Sequence, residues 1–279
     1  MDKNWSLPET MKRRTLLGTI GAGVAASAWA YGYEPSNFEL TEREIALPNL
    51  KPTRLLHVAD FHASDGLSPK ELAVGLRLGL DRKPDIICLT GDFTSYTSGY
   101  DAAGLADLLR RAVDTAPCYA VLGNHDGGDW LAQFGGARHT IAIQELLFRT
   151  GVRLIENQWT QEKGLTLIGV GDYWSGYFDP AKAFRDVPQS GTRILLSHNP
   201  DSKSDLLEHQ WDLMLSGHTH GGQARIPGIT PYWAPVNDKR YIEGLYQWEK
   251  RQIFITRGIG SPKHVRINCR PEVSLLHLG

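Results

Sequence analysis

Short apolar blocks recur along the chain, and each is followed by a polar turn rich in Gly, Asp, Asn or His. Arg54-Leu55-Leu56-His57-Val58-Ala59, Asp85-Ile86-Ile87-Cys88-Leu89-Thr90 and Cys118-Tyr119-Ala120-Val121-Leu122 read as buried strands. Between the first two, Ser68 and Pro69 look like the N-cap and first position of a helix to about Arg82, with Leu72, Leu76 and Leu80 four apart on its buried face. A second helix, Ala102 to Val113, leads to the third strand. The polar residues at the strand exits, Asp60, Asp92 and Asn124, are 32 residues apart in each case. That interval is one β-α-β pass of roughly 30 residues, so all three should reach the same edge of one parallel sheet.

The pattern continues on both sides. Phe38 to Leu47 alternates as an edge strand does. Ala137 to Thr150 reads as an amphipathic helix, and Val152 to Ile155 and Leu165 to Val170 as strands of a second sheet. Arg193 to Ser197 and Asp212 to Ser216 are further buried strands, and Pro200 opens a helix through Leu207. The tail predicts a small antiparallel set: Tyr241 to Trp248, Ile253 to Thr256, Val265 to Asn268 and Val273 to Leu278. The expected class is α/β.

Composition adds bounds. The chain has 279 residues, 41% hydrophobic and 22% charged, the profile of a soluble globular protein with a sizeable core. No internal repeat divides it, so residues 34–279 are expected to form one domain. A net charge of −1 excludes a general phosphate-backbone binder, and no nucleic-acid partner is expected. Cys88, Cys118 and Cys269 are too few for a disulfide framework. Residues 1–33 read as a leader. Lys12-Arg13-Arg14 precedes an uncharged, Gly- and Ala-rich run from Thr15 to Tyr33 with Ala-x-Ala at Ala28 and Ala30. This resembles a twin-arginine signal, which implies the twin-arginine export machinery as partner and an exported location, periplasmic or membrane-anchored. The run approaches the ~20 residues that span a bilayer, so it suits an uncleaved anchor as well as a removed signal, and cytoplasmic-face membrane association stays open.

The chemistry sits at the strand exits. Asp60-x-His62 puts two metal-ligand side chains on one side of extended backbone, because alternate residues share a face. Gly91-Asp92 follows the second strand. Gly123-Asn124-His125-Asp126 offers an amide oxygen for a divalent cation and an imidazole able to donate a proton without touching the metal. Asp126 either orients that imidazole or caps the turn. His198 follows a fourth strand, and Gly217-His218-Thr219-His220 a fifth. Mixed imidazole and carboxylate donors suit Mn, Fe, Zn or Co rather than Mg or Ca. Arg257, Arg266 and Arg270 are either phosphate ligands or partners of carboxylates such as Glu272. Tyr232-Trp233 and Tyr241 to Trp248 offer aromatic surface for a lipid or nucleobase, or simply packing.

In order and spacing across residues 53 to 223, these motifs resemble the calcineurin-like metallophosphoesterases, and the tail is similar to the exported bacterial phosphodiesterases of that family, whose relatives include UDP-2,3-diacylglucosamine pyrophosphatases. The resemblance implies two mixed β-sheets packed face to face with helices outside, a four-layer sandwich, and a centre of two divalent cations. Asp60, His62 and His220 would hold one and Asn124, His198 and His218 the other, with Asp92 bridging and His125 catalytic. The implied activity is hydrolysis of a phosphodiester or pyrophosphate by a metal-bridging hydroxide, with a small phosphodiester or a nucleotide-linked lipid such as UDP-2,3-diacylglucosamine as substrate. Such lipids are cytoplasmic, so export favours another, periplasmic phosphodiester; the rival from a different class is a catalytically inert metal-binding protein of the same fold.

Overall fold

The structure is a computed structural model that describes residues 9–279 apart from 48–49, 64–65, 96–99, 227 and 229–233. Tyr232 and Trp233 therefore lie outside the described residues. Twelve strands among those residues form two six-stranded sheets. In chain order they are β1 (Glu39–Ile45), β2 (Thr53–Val58), β3 (Ile86–Thr90), β4 (Cys118–Val121), β5 (Arg153–Leu154), β6 (Gln158–Glu162), β7 (Leu165–Gly169), β8 (Thr192–Leu196), β9 (Leu213–Ser216), β10 (Gly244–Trp248), β11 (Arg251–Ile255) and β12 (Glu272–Leu278). The first sheet runs β1-β12-β2-β3-β4-β5 and the second β10-β11-β9-β8-β7-β6. The helices are α1 (Glu9–Ser27), α2 (Pro69–Leu80), α3 (Ala102–Thr115), α4 (Asp129–Ala132), α5 (Ile141–Thr150) and α6 (Pro180–Ala183).

Because successive residues of a strand face opposite ways, the runs without polar interruption must be covered on both sides. Leu56, Val58, Ile87 and Leu89 pack outward with Leu72, Leu76, Leu105 and Leu109 of α2 and α3. Their neighbours Leu55, Ile86, Cys88 and Tyr119 face inward against Leu167, Ile194, Leu196 and Leu213 of the second sheet. The far side of that sheet, with Ile168, Leu195 and Met214, is closed by Leu206 and Trp211. Helix, sheet, sheet and outer cover make the expected four layers. At ~1.5–3 kcal/mol for each fully buried Leu or Ile, the two-sided burial of β2, β3, β8 and β9 holds the frame on which the strand exits stand.

The starts of α2 and α3 follow directly from sequence. Ser68 accepts from the Glu71 amide while Glu71 reaches back to the Ser68 amide, a reciprocal cap, and Asp101 accepts from Gly104. The tail differs from the expected antiparallel set. Of its strands only β10 and β11 pair with each other, antiparallel; β11 then joins β9 in parallel. Residues 272–278 cross into the first sheet between β1 and β2. Both faces of β12 are apolar, Val273 and Leu275 on one and Leu276 and Leu278 on the other, so a central position is the one that buries them. Residues 265–268 form no strand beyond a single bridge from Ala224 to Ile267. Arg153–Leu154 pairs with β4, placing it in the first sheet instead of the second. The helix expected from Ala137 begins at Ile141, and that expected from Pro200 is a short 3-10 segment, Pro200–Ser204. Strand β6 carried too little apolar residue to be read from sequence. Among the described residues no helix is long and apolar enough to cross a membrane.

Candidate metal centre

Strands β2, β3 and β4 are adjacent and parallel, and β8 and β9 are parallel neighbours in the facing sheet. Their carboxyl ends open on one pocket of about 650 Å³. The exit loops are tied together by main chain: Asp60 N to Gly91 O at 2.9 Å, His62 N to Asp92 O at 3.0 Å and Gly217 N to His198 O at 3.1 Å. The backbone turns sharply at the exits of β2, β3 and β9. Asp60, His62, Asp92, His218 and His220 all have φ between 47° and 69°. Such left-handed residues cost ~1–3 kcal/mol each when not glycine, and they cluster where side chains must be re-aimed. Two glycines make room: a Cβ at Gly123 would overlap Asp92 Oδ1, and one at Gly217 would overlap Asp60 Oδ2.

All seven predicted ligand residues converge, and all are buried. The donor atoms of six of them fall into two groups that share Asp92. One holds Asp60, His62, Asp92 and His220; the other holds Asp92, His198 and His218. Asp92 Oδ2 lies 3.4 Å from His62 Nε2 and 3.3 Å from His198 Nε2. His62 Nε2 and His220 Nε2 are 3.0 Å apart, His198 Nε2 and His218 Nδ1 3.1 Å, and Asn124 Oδ1 is 3.1 Å from His198 Nε2.

These contacts do not make sense as ordinary hydrogen bonds. His198 Nδ1 donates to the Thr90 carbonyl at 2.7 Å and His218 Nε2 to the Pro235 carbonyl at 2.9 Å. With its Nε2 donating and its ring neutral, His218 presents a lone pair on Nδ1 to His198 Nε2, and that His198 nitrogen faces an amide oxygen and a carboxylate as well. Burial holds His62 down at about 3 and keeps His218 and His220 low as well, so these three imidazoles supply no charge. Burial foremost, with Asp92 adding, lifts Asp60 to about 7. For His198 burial also disfavours the charged ring, yet Asp92, aided by Asp60 and Asp172, overrides it and raises the group to about 10. A pocket of lone pairs and carboxylates with this appetite for positive charge fits divalent cations held by mixed nitrogen and oxygen donors. The carbonyls that engage His198 and His218 fix which nitrogen of each ring faces the cluster, the arrangement that outer partners give to metal-binding histidines. His220 Nδ1 lacks such a partner among the described residues.

His125 stands beside this group. Its Nδ1 donates to the Ser95 carbonyl at 2.9 Å, its amide donates to Asp92 Oδ1 at 2.9 Å, and its ring packs against His62 and Trp130. Asp126 does not orient it. That carboxylate caps its own turn through Gly123 N and staples it to the next loop through Phe93 N and Thr94 N. The arginines resolve toward carboxylates and carbonyls: Arg257 pairs with Glu39 and Glu272, Arg270 with Glu39, and Arg266, wholly buried, donates only to backbone oxygens and Cys269 Sγ. What sequence reading missed is the pocket wall. Trp130, Phe134 and Trp174 line one side, with Trp130 and Trp174 stacked at 6.2 Å, and Lys263 lines the rim. The four-residue spacing of Trp130 and Phe134, just past the Asn124 loop, was the available signal.

The calcineurin-like phosphoesterase family matches residues 53–222. The chain is a calcineurin-like phosphoesterase. Within the family it is 37% identical to the phosphodiesterase YaeI of Escherichia coli (strain K12), over 96% of this chain and 99% of that protein. The UDP-2,3-diacylglucosamine pyrophosphatase LpxG of Chlamydia muridarum is 25% identical over 94% of this chain and 95% of its own length. The uncharacterized metallophosphoesterase YkuE of Bacillus subtilis (strain 168) is 27% identical over 96% and 98%. The matched segment of this phosphoesterase runs from β2 to Gly222, so it spans every residue of both donor groups and His125. The calcineurin-like phosphoesterase thus pairs a metal-binding cluster with a phosphodiesterase framework.

Outside the cluster, one buried carboxyl makes a pH test. Glu156 Oε1 has no hydrogen-bond partner among the described residues, and burial, then Asp172, lift the group to about 7 against the pull of Lys182. An acid whose folded value exceeds its ordinary 4.5 costs stability as pH rises above 4.5, and the cost levels off beyond about 7. Glu156→Gln should therefore raise the thermal midpoint by a few degrees at pH 8 and bring no gain near pH 4.5, as scanning calorimetry at the two pH values would read out.

Proposed function

We propose that the protein is a phosphodiester hydrolase whose centre holds two divalent cations of the Mn, Fe, Zn or Co type. Asp60, His62 and His220 hold one, Asn124, His198 and His218 the other, and Asp92 is shared. The observation that carries this is the single Asp92 oxygen set between His62 and His198. When bound, such cations supply Lewis-acid polarisation of a phosphoryl oxygen and make water acidic enough to attack near neutral pH. The chain's own residues do the rest. Asp92 and Asp60 balance the added charge, the backbone carbonyls of Thr90 and Pro235 hold the imidazoles in register, and His125, steadied by Ser95, delivers a proton toward the leaving oxygen or stabilises charge on the equatorial oxygens. The Trp130–Phe134–Trp174 wall, next to His125, accepts an apolar or planar substituent of the phosphodiester. A nucleotide-linked lipid, the type of substrate named for LpxG, satisfies that description. Arg13 and Arg14 ahead of the uncharged run 15–33 support export by the twin-arginine route, and an enzyme working at or beyond the outer face of the membrane would meet a periplasmic phosphodiester with such a substituent rather than a cytoplasmic nucleotide-linked lipid.

Metal-stripped protein reloaded with Mn²⁺ should hydrolyse bis-p-nitrophenyl phosphate faster than p-nitrophenyl phosphate, and chelator should remove both activities. Trp174→Ala should raise KM for the diester with little change in kcat, since the wall binds ground and transition state alike. Preference for the monoester would overturn the diester assignment, and inertness toward both after reloading would leave a metal-binding protein without turnover.

A further inference from the structure

The boundary between leader and domain is built into the fold. Ala28–Tyr33 form a π-helical turn that continues α1, and Glu34–Ser36 a 3-10 turn. Ala30, the second alanine of the Ala-x-Ala, is 5% exposed, and its carbonyl accepts from the Arg266 amide at 3.0 Å. Glu34 is 2% exposed. Its carboxylate accepts from Asn268 N at 2.9 Å, from Cys269 N and from the Trp29 indole at 2.7 Å. A buried carboxylate is tolerated when its oxygens are filled in this way, and these donors are two main-chain amides of one turn and a side chain of the leader.

The turn held by Glu34 is the one that lies behind the metal centre. Arg266 is fully buried and its guanidinium donates to the carbonyls of Arg257, Gly258, Gly260, Cys269 and, at 3.5 Å, His220. Cys269 Sγ also contacts the His220 carbonyl at 3.2 Å. On its other side the 257–260 loop hydrogen-bonds to the strand exit, Ile259 N to Ala59 O at 2.9 Å and Gly260 N to Asp60 O at 2.8 Å. An unbroken set of hydrogen bonds runs from Ala30 and Glu34 through residues 266–269 to the backbone of Asp60 and His220, both in the same donor group.

We infer that residues 29–34 are a permanent part of the folded enzyme, that the chain is not cut after Ala30, and that Glu34 is a positioning residue for the Asp60–His62–His220 donor group. The inference rests on reading residues 1–33 as an export leader. Cleavage needs an extended, accessible segment, whereas here the site is wound into a helical turn with Ala30 sealed against Arg266; cutting between Ala30 and Tyr31 would separate the Trp29 indole and the Ala30 carbonyl from the groups they serve. Twin-arginine export moves proteins already folded, so the junction would meet a peptidase in this closed form.

The full chain, expressed with its own leader in a bacterium and recovered from the exported and membrane fractions, should show an intact mass that includes residues 28–34 and yield a peptide spanning them. A mature chain beginning at Tyr31 or at any residue up to Asn37 overturns the inference. A whole chain confined to the cytoplasm overturns the leader reading instead, and the bracing role is then decided by Glu34 alone. Glu34→Ala in the full chain should weaken one of the metal-binding steps about 10- to 100-fold in chelator competition, the range seen when outer partners of ligands are lost. Glu34→Gln, whose single oxygen can accept from Cys269 N or from Asn268 N but not from both, should restore only part of it. If Glu34→Ala lowers the thermal midpoint while metal affinity stays at the wild-type value, the residue holds the fold and not the donor group, and the positioning role is wrong.

Discussion

Asp92→Asn should yield a folded protein that no longer retains its full complement of divalent metal and loses diesterase activity by far more than the 10- to 100-fold typical of losing an outer partner of a ligand. The substitution is chosen because it is nearly isosteric. Asp92 sits at φ 54°, a conformation Asn tolerates, and an amide oxygen can still accept from His125 N as Oδ1 now does at 2.9 Å. What changes is the second oxygen. Oδ2, within 3.4 Å of His62 Nε2 and 3.3 Å of His198 Nε2, becomes an NH₂ group. That removes, at a site of 1% exposure, the carboxylate charge that holds the His198 ring protonated in the metal-free protein. The metal-free variant should therefore stay folded but be less stable to heat than metal-free wild type, and wild type alone should gain stability on adding Mn²⁺. Metal analysis and calorimetry with and without Mn²⁺ measure both halves. Retention of full metal content by Asp92→Asn would mean that the two donor groups do not share this carboxylate.

The centre was legible in the sequence because its residues obey one local rule. Each stands directly after an apolar run that has to be buried on both faces, so the strand fixes where the side chain goes, and the neighbouring glycines at 91, 123 and 217 mark where loops must approach closely. Asp60, Asp92 and Asn124 could be placed on one edge by counting alone, since parallel strands with helical crossovers leave no other regular spacing. The parts that escaped obey no local rule. Residues 272–278 alternate as well for a hairpin as for a central strand, and only the global need to cover β1 and β2 puts them between those strands. Arg153–Leu154 is too short for its period to say which sheet it joins. Arg266 and Arg257 read as surface or ligand arginines because their partners, scattered from Glu39 to Glu272, are distant in sequence. The aromatic wall was hidden for a related reason: Trp130 and Trp174 are 44 residues apart and meet only because the two sheets face each other.

His125→Ala should keep the metal content of wild type and lower kcat on an ordinary alkyl phosphodiester by roughly 10²- to 10⁴-fold, the usual worth of a positioned proton donor. The separation from Asp92→Asn follows from geometry. The His125 ring lines the pocket, but its Nδ1 is turned to the Ser95 carbonyl and it belongs to neither donor group, so deleting it removes no ligand. Its main-chain amide, which anchors Asp92 Oδ1, survives the substitution. The leaving group then tells which of two tasks the imidazole performs. p-Nitrophenolate departs without a proton, so a residue that only protonates the leaving oxygen should matter far less for bis-p-nitrophenyl phosphate than for the alkyl diester. A residue that stabilises charge on the equatorial oxygens should matter equally for both. Unequal losses assign His125 as the acid, equal losses assign it to charge stabilisation, and wild-type turnover on both substrates would remove it from the catalytic machinery.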